Sequence, residues 1–260
     1  MSVSLVQGRV RYVTALSYEV DAVVLRGLVP AGTEIDTYDG CALLSLVAMQ
    51  FGENRLLGVP MPFARRYDQI DLHFYVRRRV EGQWRRGVAF VRELLPVGSM
   101  ASFGHLLYGE AYQRLPVSSK VHPPEDGEVA GRAVYRWLVN GDVHRLDAEF
   151  SGDLRLPEEG SIEAFVVERP WGYVFHHSDL AREYRIDHSP WRIWPAVTAR
   201  LSQDATGVFG NRFHHVLSAP PRAVLVAEGS RVQMHRPATI TGAAARAAAA
   251  ATEAGPGPRV

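Results

Sequence analysis

Asp71-Leu72-His73-Phe74-Tyr75-Val76-Arg77 alternates polar and apolar side chains, and beyond Glu81-Gly82-Gln83 follows Gly87-Val88-Ala89-Phe90-Val91-Arg92-Glu93-Leu94-Leu95, a more apolar run. Alternation at period two marks a strand with one buried face, because successive side chains point to opposite sides of a sheet. Two such runs joined by a turn signal predict a β-hairpin. Asp71, His73, Tyr75 and Arg77 then share one face, with Leu72, Phe74 and Val76 on the other. In a barrel with a packed outer layer, the polar face lines the lumen. There it offers a carboxylate, an imidazole, a phenol and a guanidinium to orient a small polar or anionic ligand. Turned outward, the same residues are washed by solvent, and the alternation alone leaves both readings open. Arg92 and Glu93 point oppositely on the partner strand, so only one of them joins the surface that carries Asp71. Arg92 completes the candidate ligand-binding set, although an interior arginine opposite Asp71 would most simply form a structural ion pair.

Working outward, a second hairpin is expected from Val129 to Val139, the turn Asn140-Gly141-Asp142, and Val143 to Phe150. Asn-Gly favours a tight turn because both residues tolerate positive φ. Further strands are expected at Tyr173–His176, Glu183–His188, Trp191–Ala199, Arg222–Ala227 and Arg231–His235. Helices are few: Asp21 can cap 22–29, Ser99 can cap 100–108, and Ser161 can cap 162–167 with Ala164, Phe165 and Val166 buried. Many short strands with brief helical insertions predict a mainly β chain, either a single antiparallel closed barrel or a strongly curved sheet. Residues 1–237 read as one domain. From Pro237 the composition collapses to Ala, Gly, Pro and Arg, so 238–260 are expected to form a disordered tail.

The 260 residues carry 47% apolar side chains, ample for a core, and 29 basic against 28 acidic residues. That balance supplies no bulk attraction to nucleic acid or an anionic membrane. One cysteine, Cys41, excludes an internal disulfide and a cysteine metal cluster. The histidines fall in no His-x-His or His-Glu-x-x-His spacing, so no metal is expected. No Gly-rich phosphate loop or Gly-x-Ser-x-Gly elbow is present, and no cofactor is expected. Met1-Ser2-Val3-Ser4 lacks a basic stretch followed by an apolar one, and no run reaches membrane-spanning length, so a cytoplasmic protein is expected. A homo-oligomer is compatible with all of this. Trp171, Trp191 and Trp194 read as core and rim packing. The basic run Arg77-Arg78-Arg79 with Arg85-Arg86 reads as a solvated hairpin end, or as the contact surface of a protein-interaction module.

Several segments, in order, resemble the YqjF-like family, a bacterial family of unknown function. They include Leu28-Val29-Pro30, Thr37-Tyr38-Asp39-Gly40, Leu57-Gly58-Val59-Pro60 and Phe74-Tyr75-Val76-Arg77-Arg78. Further along come Arg86-Gly87-Val88-Ala89-Phe90-Val91-Arg92-Glu93, Tyr108-Gly109-Glu110-Ala111-Tyr112, Trp171-Gly172-Tyr173 and Glu183-Tyr184-Arg185-Ile186-Asp187-His188. Trp191-Arg192-Ile193-Trp194 and Ala227-Glu228-Gly229-Ser230 complete a set spanning nearly all of 28–237. Asp71 and His73 depart from the Asn and Arg usual in that family, and Arg169-Pro170 from a His-Tyr pair. The resemblance implies the acetoacetate-decarboxylase-like fold, a closed, mostly antiparallel barrel with a ligand cavity. A fold of that kind hosts many functions.

The resemblance also singles out Lys120, the one lysine among the basic residues. Acetoacetate decarboxylases form a Schiff base through a lysine directly after a proline, often beside a second lysine that depresses its pKa. Only the neutral amine attacks a carbonyl, and a guanidinium cannot replace it. Here Leu115-Pro116 precedes Val117-Ser118, so Lys120 arrives late and has no lysine neighbour; the alternative is a residue left over from an Arg-rich composition. Glu110 is the second candidate catalytic residue, as a general acid or base, or else a carboxylate paired with Arg114. The leading expectation is a protein that binds a small organic ligand, a carboxylate among the candidates. The alternatives are a Schiff-base enzyme acting on a keto acid and a protein-interaction module.

Overall fold

The computed structural model describes residues 4–96, 111–124, 130–177, 179–194, 196–202 and 207–242. In chain order the first strands are β1 (Ser4–Val20), β2 (Glu34–Ile35), β3 (Thr37–Tyr38), β4 (Cys41–Leu56), β5 (Val59–Pro60), β6 (Arg66–Val80) and β7 (Gln83–Leu95). β8 (Tyr112–Arg114), β9 (Val117–His122), β10 (Gly131–Val139) and β11 (Asp142–Phe150) follow. The rest are β12 (Trp171–His177), β13 (Leu180–His188), β14 (Ile193–Trp194), β15 (Ala196–Leu201), β16 (Ala223–Ala227), β17 (Arg231–His235) and β18 (Ala238–Thr241).

These strands make two sheets where the sequence predicted one. β9, β10, β11 and β15 form a separate four-stranded sheet, and the others pair in a larger one. In the larger sheet the pairings run from β1 through β4, β6, β7, β12, β13 and β17 and return to β1. It therefore curls on itself. Apart from a parallel step between β7 and β12, every pairing in that circuit is antiparallel. Register shifts in β1 between Gln7 and Arg9 and between Arg11 and Thr14 supply some of the curvature, since a bulge bends its strand and adds twist. Tyr12, inside the second shift, takes φ 52°.

Each face of the curled sheet has its own packing. Leu44, Leu46, Leu72 and Phe74 join Tyr135, Trp137, Leu146 and Phe150 of the second sheet in one buried cluster. On the inward face, Val13, Ala15, Val47 and Val88 gather with Val166 and Val167 of the helix Ile162–Val167. β10 buries Ala133, Tyr135 and Trp137 while Arg132 and Arg136 face water, so the second sheet is half-buried, as alternation requires.

Both expected hairpins form. Glu81 and Gly82 take φ 50° and 80°, and Asn140 and Gly141 take φ 52° and 96°. Positive φ at both central residues matches the turn to the twist of the strands. Ser161 caps its helix by accepting from the Ala164 amide at 3.1 Å. Phe165 is half-buried, and Val167 takes the buried place expected of it. Asp21 also caps, accepting from the Val23 amide at 2.8 Å, but that helix is only Ala22–Leu25, because Arg26 leaves helical geometry. The expected strand 191–199 divides: β14 joins the curled sheet through β16, and β15 joins the second sheet through β11.

The body also extends past 237. β18 pairs with β13 and buries Ile240 opposite Ala181, so 238–241 are strand where a disordered tail was expected. The helix expected at 100–108 lies outside the described residues. No described helix is long and apolar enough to cross a membrane.

Candidate functional site

Inside the curl lies a cavity of about 160 Å³. Most of its wall is apolar, including Val13 and Ala15 from β1, Val47 and Met49 from β4, and Val88 and Phe90 from β7. Its polar lining comes largely from alternate positions of β6, namely Gln69, Asp71 and His73, joined by Glu93 of β7 and by Arg169 just beyond the helix Ile162–Val167. Asp71 and Glu93 are direct cross-strand partners, and each is 3% exposed. Gln69 ties them together: its Nε2 donates to Asp71 Oδ1 at 2.8 Å and to Glu93 Oε2 at 2.9 Å.

The registry explains why Glu93 enters and Arg92 does not. A bulge between Leu72 and His73 sets His73 opposite Phe90 but Leu72 opposite Arg92. The extra residue, Val91, leaves Phe90 and Glu93 on the cavity side. Arg92 faces away, where its Nη1 donates to Gln113 Oε1 at 2.9 Å and to the Val208 carbonyl at 2.7 Å.

His73 is 8% exposed, edge-on to Tyr75 and Phe90 with ring centroids 5.6 and 5.9 Å away. Its Nδ1 is buried without a hydrogen-bond partner. Burial disfavours the charged ring, and the Arg169 cation adds to that, so the imidazole pKa falls to about 3. The ring is neutral at physiological pH, offering one N–H and one lone pair.

Tyr75 and Arg77 share the strand face with His73 but stand apart from the cavity lining. The Tyr75 hydroxyl hydrogen-bonds Ser45 Oγ at 2.6 Å, which in turn bonds Ser17 Oγ at 2.7 Å, a chain of three buried hydroxyls. Burial raises the Tyr75 pKa. Arg77 lies further along, near the hairpin end, where its Nε donates to Glu34 Oε1 at 2.6 Å and its guanidinium covers the Trp84 ring at 4.4 Å.

The expected solvated hairpin end is in fact fastened to the body. Buried Asp36 accepts from Arg169 Nη1 at 2.7 Å and Arg86 Nη1 at 3.3 Å. Buried Glu183 accepts from Arg85 Nη1 at 2.6 Å, Arg78 Nη1 at 3.1 Å and the Tyr173 hydroxyl at 2.9 Å. Arg169 also donates from Nε to the Phe165 carbonyl and lies over the Phe165 ring at 3.8 Å.

Lys120 is remote from this arrangement. It is exposed on β9, the edge of the second sheet, opposite Val134. Glu110 lies outside the described residues. Among the described residues no group of three or more His, Cys, Asp or Glu side chains is placed to hold a metal ion. Trp191 lines the cavity rim, stacked on His188 at 4.5 Å, while Trp194 is buried against Phe150.

Sequence reasoning missed Gln69 and Arg169 as site members. Gln69 was within reach, since the alternation through Asp71 extends back two residues to it. Arg169 follows a helix in an irregular segment, where no periodicity marks a side chain as inward. Yet Asp71, His73 and Arg169, noted as departures from the resembled family, all line one cavity.

A family model described as an uncharacterized conserved protein, DUF2071, matches residues 8–231. The chain is 26% identical over 204 residues to the uncharacterized protein YqjF of Bacillus subtilis (strain 168), covering 74% of this chain and 77% of that protein. Among solved structures it is similar to an acetoacetate decarboxylase-like enzyme from Sphingomonas wittichii RW1, with a TM-score of 0.61 at 13% identity, covering 92% and 94% of the two chains. It is also similar to the enduracididine biosynthesis enzyme MppR complexed with pyruvate, with a TM-score of 0.60 at 14% identity, covering 92% and 91%. At such identities these structures share the fold.

Proposed function

Because the chain belongs to the DUF2071 family and has the acetoacetate-decarboxylase-like fold, we propose that it binds a small organic molecule inside the barrel formed by its curled sheet. One observation carries this reading: an interior cavity with mostly apolar walls and a few buried polar groups gathered on β6 and β7. Ligand sites have that make-up, with apolar area for affinity and a few polar atoms for orientation. The fold neighbour MppR, which has been crystallised with pyruvate, makes a small guest reasonable by analogy of fold alone.

Binding without imine chemistry fits the geometry better than a Schiff-base enzyme does. Lys120 is exposed on a different sheet from the one that lines the cavity. A nucleophile must lie within bonding reach of its carbonyl, and this amine does not face the cavity. The interaction-module reading is weakened by the hairpin arginines, four of which are engaged by Asp36, Glu183 or Glu34.

A fragment titration followed by NMR of the labelled protein tests the reading. Saturable shifts are expected at amides flanking Ala15, Val47 and His73. Borohydride trapping with a panel of keto acids gives the enzyme alternative its own test. No mass adduct is expected on the peptide that carries Lys120, and Lys120→Arg should leave fragment affinity unchanged. An adduct at Lys120 would restore the enzyme reading.

A further inference from the structure

We propose that a groove on the outer face of the curled sheet, lined by four arginines, binds a phosphate group, free or carried on a small molecule. It is a second site, with a polar lining distinct from that of the cavity, and it does not depend on the cavity reading. The groove encloses about 330 Å³ between Arg9 and Arg11 of β1, Gly52 and Glu53 of β4, and Arg65 and Arg66 where β6 begins.

Strand register gathers these side chains. Arg9, Gly52 and Arg66 stand in one row across β1, β4 and β6, and Arg11, Gln50 and Asp68 stand in a row two residues away on the same face. The second sheet reaches the latter row, where Gln50 Nε2 donates to Ser119 Oγ at 2.7 Å and Ser119 Oγ donates to Asp68 Oδ1 at 2.8 Å. The row of Arg9 and Arg66 lies past that contact, and Gly52 puts no side chain between them. Adjacent strands stand about 4.8 Å apart, so the two arginine Cα atoms are roughly 10 Å apart, a gap in which an oxyanion takes a guanidinium from each side. A Cβ on Gly52 would find the Arg65 carbonyl oxygen nearest, at 3.7 Å, so the gap is open space. Register shifts on either side of Arg9 and Arg11 bracket the groove, and bulges of that kind re-aim side chains. The Glu53 amide donates to the Arg65 carbonyl at 3.1 Å, which fastens Arg65 beside the gap.

Charge names the ligand. Four arginines face one carboxylate, Glu53, in this lining. Glu53 is already divided between Arg9 Nε at 3.3 Å and Arg231 Nη2 at 3.6 Å. Among the described residues no carboxylate forms an ion pair with Arg11, Arg65 or Arg66. Like charges gathered in a concave site repel one another, and an anion seated among them relieves that repulsion. Guanidinium groups hold phosphate through paired, charge-assisted hydrogen bonds, and a dianion with several acceptor oxygens uses more of them than a carboxylate does.

Calorimetric titration of the full chain at neutral pH and low salt with inorganic phosphate, phenyl phosphate and benzoate tests the proposal. Saturable binding of one phosphate per chain is expected, and the tighter of the two phosphates names the source. Benzoate should bind at least about tenfold more weakly than either. Arg11→Gln and Arg66→Gln should each weaken phosphate about tenfold, the loss of one charge-assisted hydrogen bond. Arg136→Gln removes an exposed charge from β10 and should change the affinity by less than about twofold. Gly52→Leu, which fills the gap, should abolish binding at an unchanged thermal midpoint; should it fail to fold, the arginine variants still decide the matter. Absence of saturable phosphate binding overturns the proposal, as does benzoate binding as tightly as phosphate or an equal loss in Arg136→Gln. Duplex DNA bound more tightly than either phosphate, and weakened equally by Arg66→Gln and Arg136→Gln, would reveal an extended polyanion surface and overturn it too.

Discussion

His73 holds a neutral imidazole in the cavity wall, where only 8% of the residue is exposed. Its pKa falls from 6.5 to about 3 on folding, first through burial and then through Arg169. Between those values the unfolded chain takes up a proton that the folded chain refuses, so folding stability drops as pH falls from about 6.5 toward 3. Urea unfolding across that window should therefore show a shallower acid loss in His73→Phe than in the wild type; parallel slopes would contradict the burial of a neutral ring. The buried hydroxyl chain makes a second prediction. Ser45→Ala strands the Tyr75 and Ser17 hydroxyls that both bond to it, with an expected loss of about 1–3 kcal/mol by the same assay. At this scale the alternation Asp71, His73, Tyr75 and Arg77 was legible, because period two alone assigns a face. The choice between Arg92 and Glu93 was not, because one inserted residue at a bulge reverses the face and leaves no mark in composition.

β7 and β12 meet in parallel at Gly87 and Trp171, and that junction completes the circuit of the curled sheet. A Cβ on Gly87 would lie 2.2 Å from the Trp171 carbonyl oxygen, so only glycine permits the approach. Gly87→Ala is expected to cost at least about 2 kcal/mol in urea unfolding, while Gly207→Ala, with open space around it, should stay within about 0.5 kcal/mol. The Asp36–Arg169 pair is the other fastening at this scale. Asp36→Asn leaves a buried guanidinium without its counter-ion, for an expected loss of about 3–5 kcal/mol. Hairpins were the most legible elements, since Glu81-Gly82 and Asn140-Gly141 announce their turns. β4 was the least. Ala42 through Met49 are buried on both faces, one toward the second sheet and one toward the cavity side, so no polar alternation marks the strand.

The described residues form two sheets, one curled around a cavity and one packed against its outer face. Which strands share a sheet depends on long-range pairing, and local pattern does not encode that; the division of 191–199 between sheets is the clearest case. The arrangement leaves the solitary lysine outside and the departures at Asp71, His73 and Arg169 inside. Filling the cavity is the most direct test of the proposed binding function. Ala15 is buried in its wall, and Ala15→Leu should occupy the void. Calorimetric titration with toluene is expected to give saturable binding to the wild type and none to Ala15→Leu, with the variant as stable to heat as the parent. Undiminished binding by the folded variant, or none by the wild type, would contradict the account.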